Sequence, residues 1–219
     1  NNIMAFQVLT IDSENNKSYK NIKYHKYSDC LSCLFFPWGT DLLPYQIDEN
    51  IEKIKNIKTK NISNFIGMPL EHWNIFQQKC KKYGIIYKHY GGTFNLNSNI
   101  NKSVNENMEL IQESIIAPAL QDSWQVEHKY IPCRIFKNIS YGKMGISNNK
   151  AVNELFDNKL IYSENIEKLV KKGLKFNKKI DKFNKIKELM VEVRDNHTYI
   201  NRINFILDFI KEFKDIKVK

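Results

Sequence analysis

Residues 121–156 read QDSWQVEHKYIPCRIFKNISYGKMGISNNKAVNELF. The run from Pro132 to Tyr141 has the spacing of a basic amphipathic helix and stops at Gly142. Lys143 to Ser147 then reads as a short strand, and Asn148 and Asn149 as a polar elbow that opens another helix. A helix–strand–helix unit of this kind belongs to an open α/β sheet. Such sheets bind ligands beyond the carboxyl ends of their strands, where backbone N–H groups and helix N-termini favour anions. Arg134 and Lys137, three residues apart, share a helix face at that rim and are the first candidates to meet a phosphate.

Moving outward, the same rhythm runs in both directions. Upstream, Ile62 to Ile66 is expected as a strand ending at Gly67. Leu70 to Tyr83 follows as a helix with Trp73, Phe76 and Cys80 on one face, and Gly84 stops it. Ile85 to His89 is a second strand, closed by Tyr90, Gly91 and Gly92. Asn105 to Glu113 is a helix with Ser103 and Glu106 placed as a capping box, and Ile115 to Leu120 is a third strand. Downstream, Lys159 to Tyr162 is a strand and Asn165 to Leu174 a helix. Ile180 to Phe213 is a helical tail with Ile186, Leu189, Met190, Val193, Ile203, Ile206, Leu207 and Ile210 at core spacing. Alternating strands and helices predict a Rossmann-like α/β domain, a parallel sheet with helices on both faces and a helical C-terminal tail.

Residues 1–58 are less regular. MAFQVLTI and CLSCLFFPW read as strands, TDLLP as a turn, and Ile51 to Lys60 as a helix or linker. They are too few for a domain, so the chain divides into a remnant of a preceding domain (1–58) and a Rossmann-like domain with terminal helices (59–219). Cys30 and Cys33 form a C-x-x-C within an apolar strand, with no second pair, and read as buried structural thiols.

The chain has 219 residues, 42% of them hydrophobic, enough to fill a core. It contains no stretch of about 18 apolar residues, and NNIMAFQVLTIDS lacks the order of a signal peptide. A cytoplasmic protein is expected. The start without Met suggests a piece of a longer polypeptide. The net charge of +10 comes from Lys scattered through an Asn-, Ile- and Lys-rich sequence and reads first as compositional bias. Its functional alternative is a basic nucleic-acid-binding module, although no helix-turn-helix, zinc-finger or RNA-recognition pattern is present. Neither a D-x-D stretch nor a His/Cys/Asp cluster with metal spacing occurs, and no metal is expected.

KYIPCRIFKNISYGKMGISNNKAVNELF, followed by HTYINRINFILDFI, resembles the carboxyl-terminal half of GT-B glycosyltransferases of the group-one type. The resemblance runs through Pro132, Arg134, Phe136, Gly142, Glu154, Leu155 and Phe156, then His197, Thr198, Tyr199 and Arg202, and covers about residues 62–213. FFPWGTDLLP is similar to the last strand of the preceding half-domain in such enzymes. The resemblance implies a fold that binds a nucleoside-diphosphate sugar as donor substrate, with no further cofactor, and an acceptor, a carbohydrate or lipid-linked glycan, held by an amino-terminal half-domain outside this chain. Gly91, Gly92, Gln121, Arg134, Lys137, Asn148, Asn149 and Glu154 are the candidate donor contacts. His89 and Trp124 are secondary ones, for a phosphate and for the base. Lys137 stands where many members carry the second glutamate of a Glu-x7-Glu pair. A catalytically inactive regulatory or scaffold relative of the same fold is therefore the alternative.

Overall fold

The computed structural model describes residues 3–6, 17–19, 22–27, 30–68, 71–91 and 102–214. Strands β1 (Ile3–Phe6), β2 (Lys17–Tyr19), β3 (Ile22–Tyr27) and β4 (Cys30–Phe35) form one mixed sheet in the order β1-β4-β3-β2. β1 runs parallel to β4, and the other two pairings are antiparallel. The expected strands around Ala5 and Cys33 are thus present. The β2–β3 hairpin was not expected, because KSY and IKYHKY mix lysine and histidine into their alternation.

Helix α1 (Pro44–Lys53) begins earlier than its apolar residues suggest. Pro44 takes the first helical position, and the Gln46 side chain accepts from the Leu43 N–H at 2.8 Å. A 3-10 turn, Ile54–Asn56, leads into β5 (Ile62–Ile66), α2 (Glu71–Lys82) and β6 (Ile86–Tyr90). Then come α3 (Val104–Glu113), a short α4 (Ser123–Glu127) and α5 (Cys133–Ser140). β7 (Ile146–Ser147), α6 (Lys150–Leu155), β8 (Ile161–Tyr162) and α7 (Ile166–Asn177) follow. The chain continues through α8 (Lys182–Asn196) and α9 (Tyr199–Lys214). The capping box at α3 forms as expected: Ser103 Oγ accepts from the Glu106 N–H, and Glu106 accepts from the Ser103 N–H at 2.7 Å.

The expected third strand, 115–120, is extended but not a regular strand. Pro118 has no N–H to offer, so the ladder is broken and side chains take over as donors. Ser63 Oγ donates to the Ile116 carbonyl and Asn138 Nδ2 to the Ala117 carbonyl, each at 2.8 Å. Parallel bridges remain on both flanks, Lys60 to Ser114 and Ala119 to Ser147. β5 pairs parallel with β6, and β7 with β8, so the pieces lie side by side in the order β6, β5, 115–120, β7, β8. β7 and β8 are shorter than expected. Gly142 and Lys143 are spent on the turn that ends α5, with Lys143 N–H donating to the Asn138 carbonyl.

Apolar side chains leave both faces of this sheet. Phe65, Ile116, Leu120 and Ile146 meet Trp73 and Phe76 of α2 and Leu169 and Val170 of α7. Ala117 and Ala119 face the larger cluster, which holds Ile47 and Ile51 of α1, Ile135 and Ile139 of α5, and Met190 and Val193 of α8. The chain is therefore α/β, with short parallel sheets and flanking helices. Leu42, Ile47, Ile51 and Ile54 belong to that larger cluster, so residue 58 marks no break in the core.

The α8 stripe Ile186, Leu189, Met190 and Val193 is buried as expected. The stripe expected on α9 is not. Ile203, Ile206, Leu207 and Ile210 are 38–52% exposed, and the buried face carries Arg202, Phe205 and Phe209. The cause is Arg202. Its guanidinium donates to the carbonyls of Pro37 (2.9 Å), Trp38 (3.2 Å) and Asn196 (2.8 Å), and this fixes the helix rotation. Among the described residues no helix is long and apolar enough to cross a membrane.

Candidate functional site

Strands β5 and β6 end side by side in two glycines. Gly67 has φ +126° and Gly91 φ +89°, conformations that favour glycine. Gly67 N–H donates to the Tyr90 carbonyl at 2.9 Å, and a side chain on Gly91 would meet the Gly67 nitrogen at 3.2 Å. The backbones are thus packed directly together and leave a bare edge. His89 closes one side, with Nε2 2.7 Å from the Gly67 carbonyl oxygen and its ring stacked on Phe65.

Arg134 arrives over this edge from the first turn of α5. Its Nε donates to the Ile66 carbonyl at 3.3 Å, and the guanidinium lies 4.3 Å from the centre of the Phe65 ring and 5.6 Å from that of Trp73. Phe65 and Trp73 are themselves stacked, 3.6 Å between centroids. No carboxylate among the described residues pairs with this cation. Burial lowers its pKa to about 10, and the nearest ionisable neighbours are Cys133, Tyr130 and Tyr87. An aromatic shelf therefore holds a guanidinium whose terminal nitrogens have no protein acceptor among the described residues, beside glycine backbone. An incoming phosphate fits that deficit.

A side chain at Gly67 would stand 2.8 Å from Arg134 Nη2. Gly67→Ala is expected to push the guanidinium aside and to cost about 1 kcal/mol or more of stability through its positive φ. Chemical denaturation together with ligand titration checks both effects.

Lys137 does not join Arg134. Its Nζ sits 2.9 Å from Asp41 Oδ2, and the same carboxylate accepts from the Tyr141 hydroxyl at 2.8 and 2.9 Å. Burial works against the Lys137 charge, and Asp41 more than offsets it, leaving its pKa raised. Burial and then Asp41 push the Tyr141 phenol up as well. The expected point charge is thus neutralised inside a tie between residue 41 and α5. Asp41→Ala should cost about 2 kcal/mol, because both partners lose their counterpart in a half-buried setting. Equilibrium unfolding of Asp41→Ala beside Asp41→Asn would measure it.

Gln121, Asn148 and Asn149 are buried, and their side chains bond neighbouring backbone. Asn148 Oδ1 accepts from the Gln121 N–H at 2.9 Å, while its Nδ2 donates to the Gln121 carbonyl at 2.8 Å. Asn149 caps α6 by accepting from the Ala151 N–H, and its Nδ2 donates to the Tyr130 carbonyl at 3.2 Å. Gln121 Nε2 donates to that same carbonyl at 2.6 Å, which leaves its buried Oε1 without a partner among the described residues. These three side chains weld the carboxyl ends of 115–120 and β7 to the loop before α5. Glu154 is exposed and pairs with Lys150 at 3.3 Å, one turn away on α6. Gly92 lies outside the described residues. Trp124 is 58% exposed on α4 and stacks on His128 at 4.4 Å.

Of the expected contacts, Arg134 and Gly91 come together with His89 at one edge. Gly67 completes that group. Its only sequence signal was its place after a strand, as for Gly91. His197 is buried against Phe136 and Phe156, and its Nδ1 accepts from the Arg202 guanidinium at 3.0 Å, so the His-Thr-Tyr segment orders the terminal helices. No family model, curated protein or solved structure matches the chain.

Proposed function

We propose that this chain is the donor-binding half of a GT-B-type glycosyltransferase, which moves a sugar from a nucleoside diphosphate to a carbohydrate or lipid-linked acceptor without a metal. The observation that carries the reading is the Arg134 guanidinium beside Gly67, with no carboxylate partner among the described residues. The order β6, β5, 115–120, β7, β8 supports it as well. It corresponds to the 2-1-3-4-5 order of doubly wound sheets, in which the direction of strand addition reverses between the first and third strands. Arg134 bonds the carboxyl end of β5, at that crevice. As the donor's glycosidic bond breaks, negative charge grows on the departing diphosphate, and a preorganised guanidinium stabilises it there.

The residue that activates the acceptor belongs, on this reading, to the amino-terminal half-domain. Titration calorimetry with UDP-, GDP- and ADP-sugars tests the proposal. At least one should bind, and Arg134→Ala should bind it far more weakly. Silence across the whole panel, or undiminished binding by the variant, overturns it.

A binding-only relative is the second reading, and the Lys137–Asp41 pair favours it: where the resembling enzymes place a glutamate, this chain holds a neutralised lysine. A transfer assay separates the two, since the binding-only form retains donor affinity and makes no product.

A further inference from the structure

The opposite edge of the sheet carries a separate feature. Under the amino-terminal ends of β5, 115–120 and β7 lies a cavity of about 50 Å³, lined by Ile57, Ile115, Phe176 and Phe183 together with Lys143 and Lys182. Lys143 is only 7% exposed and has no hydrogen-bond or carboxylate partner among the described residues. A buried ammonium without an acceptor is costly and gives up its proton unless an anion holds the charge there. Lys182 brings a second ammonium, whose only acceptor among the described residues is the Asn177 carbonyl at 3.1 Å. It also opens α8, a helix of 15 residues whose N-cap, Asp181, makes no side-chain capping bond. The Asp181 carboxylate turns instead to Lys185 at 3.4 Å, on the exposed side. Two lysines and an uncapped helix start thus meet at one partly enclosed space that no acid among the described residues lines.

We propose that this cavity binds a small free oxyanion, of the size and charge of inorganic phosphate, between Lys143 and Lys182. A single water needs roughly 10–15 Å³ of such space, so the cavity has room for a group of about four or five non-hydrogen atoms and not for a nucleotide. The anion supplies the acceptors that Lys143 lacks and offsets the repulsion between the two lysines. Burial and then the Lys182 charge bring Lys143 down to about 7, so a bound anion must raise it. The site is independent of Arg134, which lies at the carboxyl edge.

Thermal unfolding in phosphate against chloride of equal ionic strength is the test. For the wild-type chain the melting temperature should rise by about 5 °C at phosphate a hundredfold above its Kd. Lys143→Met, which keeps the apolar stem and drops the charge, should show no such rise. An equal rise in Lys143→Met, or no wild-type rise beyond chloride, overturns the proposal. Should Lys143→Met fail to fold, the ε-methylene NMR signal of Lys143 in the wild-type chain decides. Its titration must move to higher pH when phosphate is added, and an unmoved titration overturns the proposal equally.

Discussion

Arg134→Ala is expected to weaken nucleotide-sugar binding roughly ten- to a hundredfold, the equivalent of losing about 1.5–3 kcal/mol of charge-assisted hydrogen bonding. The effect is this large because nothing else among the described residues of the edge substitutes for the guanidinium. Lys137 is committed to Asp41, and the side chains of Gln121, Asn148 and Asn149 are committed to neighbouring backbone. Arg134→Lys should fall between the two, keeping the charge and losing the fork that engages two oxygens at once. The fold should survive either change, since Arg134 makes one hydrogen bond to the Ile66 carbonyl and otherwise lies on Phe65. Calorimetric titration of the three proteins reads the result, and equal affinities would remove the basis for a donor site here. A ligand that is instead a polyanion, with steep salt dependence and indifference to Arg134, would point to the basic surface as a nucleic-acid module.

The second large effect is acid destabilisation through His197. Burial, and then the adjacent Arg202 charge, hold its pKa near 3, against 6.5 for the free side chain. Between those values the unfolded chain takes up a proton that the folded chain refuses, so stability rises with pH across the interval. The contribution is whole above about pH 6.5 and declines by about 1.4 kcal/mol per unit as pH falls toward 3. Over the full interval the loss amounts to roughly several kcal/mol. Urea midpoints for the wild-type chain and His197→Asn, followed from pH 7 to 4, provide the measurement. The carboxylates titrate in both proteins, so the difference in slope belongs to His197. Parallel slopes would mean that the imidazole is protonated in the folded state after all.

Local chemistry was legible in the sequence wherever one segment decides its own structure. The apolar face of α2, the Gly142 stop after α5 and the Ser103–Glu106 cap each follow from residues within a turn or two of one another. The α/β alternation was legible for the same reason. Pro118 should have warned that 115–120 could not complete a ladder, but its replacement donors, Ser63 and Asn138, come from elsewhere in the chain. The candidate site was legible only in part. Arg134 stood out by its helix position, yet its relation to Gly67 spans two elements and a sheet edge. Lys137 looked identical to Arg134 in pattern. Only the distant Asp41, which also anchors Tyr141 across 100 residues, distinguishes it. On α9 two overlapping apolar stripes compete, and the arginine between them selects the less obvious one.

The three carbonyls gripped by Arg202 have a mechanical consequence. Residues 37–41 are also strapped to the start of α9 by the Thr40 N–H to the His197 carbonyl at 2.9 Å, and Gly39 lies so close that an added carbon would stand 3.0 Å from that same oxygen. The final helix is therefore a bolt across the segment that carries Asp41. Withdraw it by trimming the chain back to residue 198, and the Arg202 bonds to Pro37 and Trp38 are lost, while the Thr40 bond to His197 and the pairing of Asp41 with Lys137 and Tyr141 stay in place. Shortening the protein from that end should therefore lower its stability by unpinning residues 37–38, yet leave the Lys137 charge matched by Asp41.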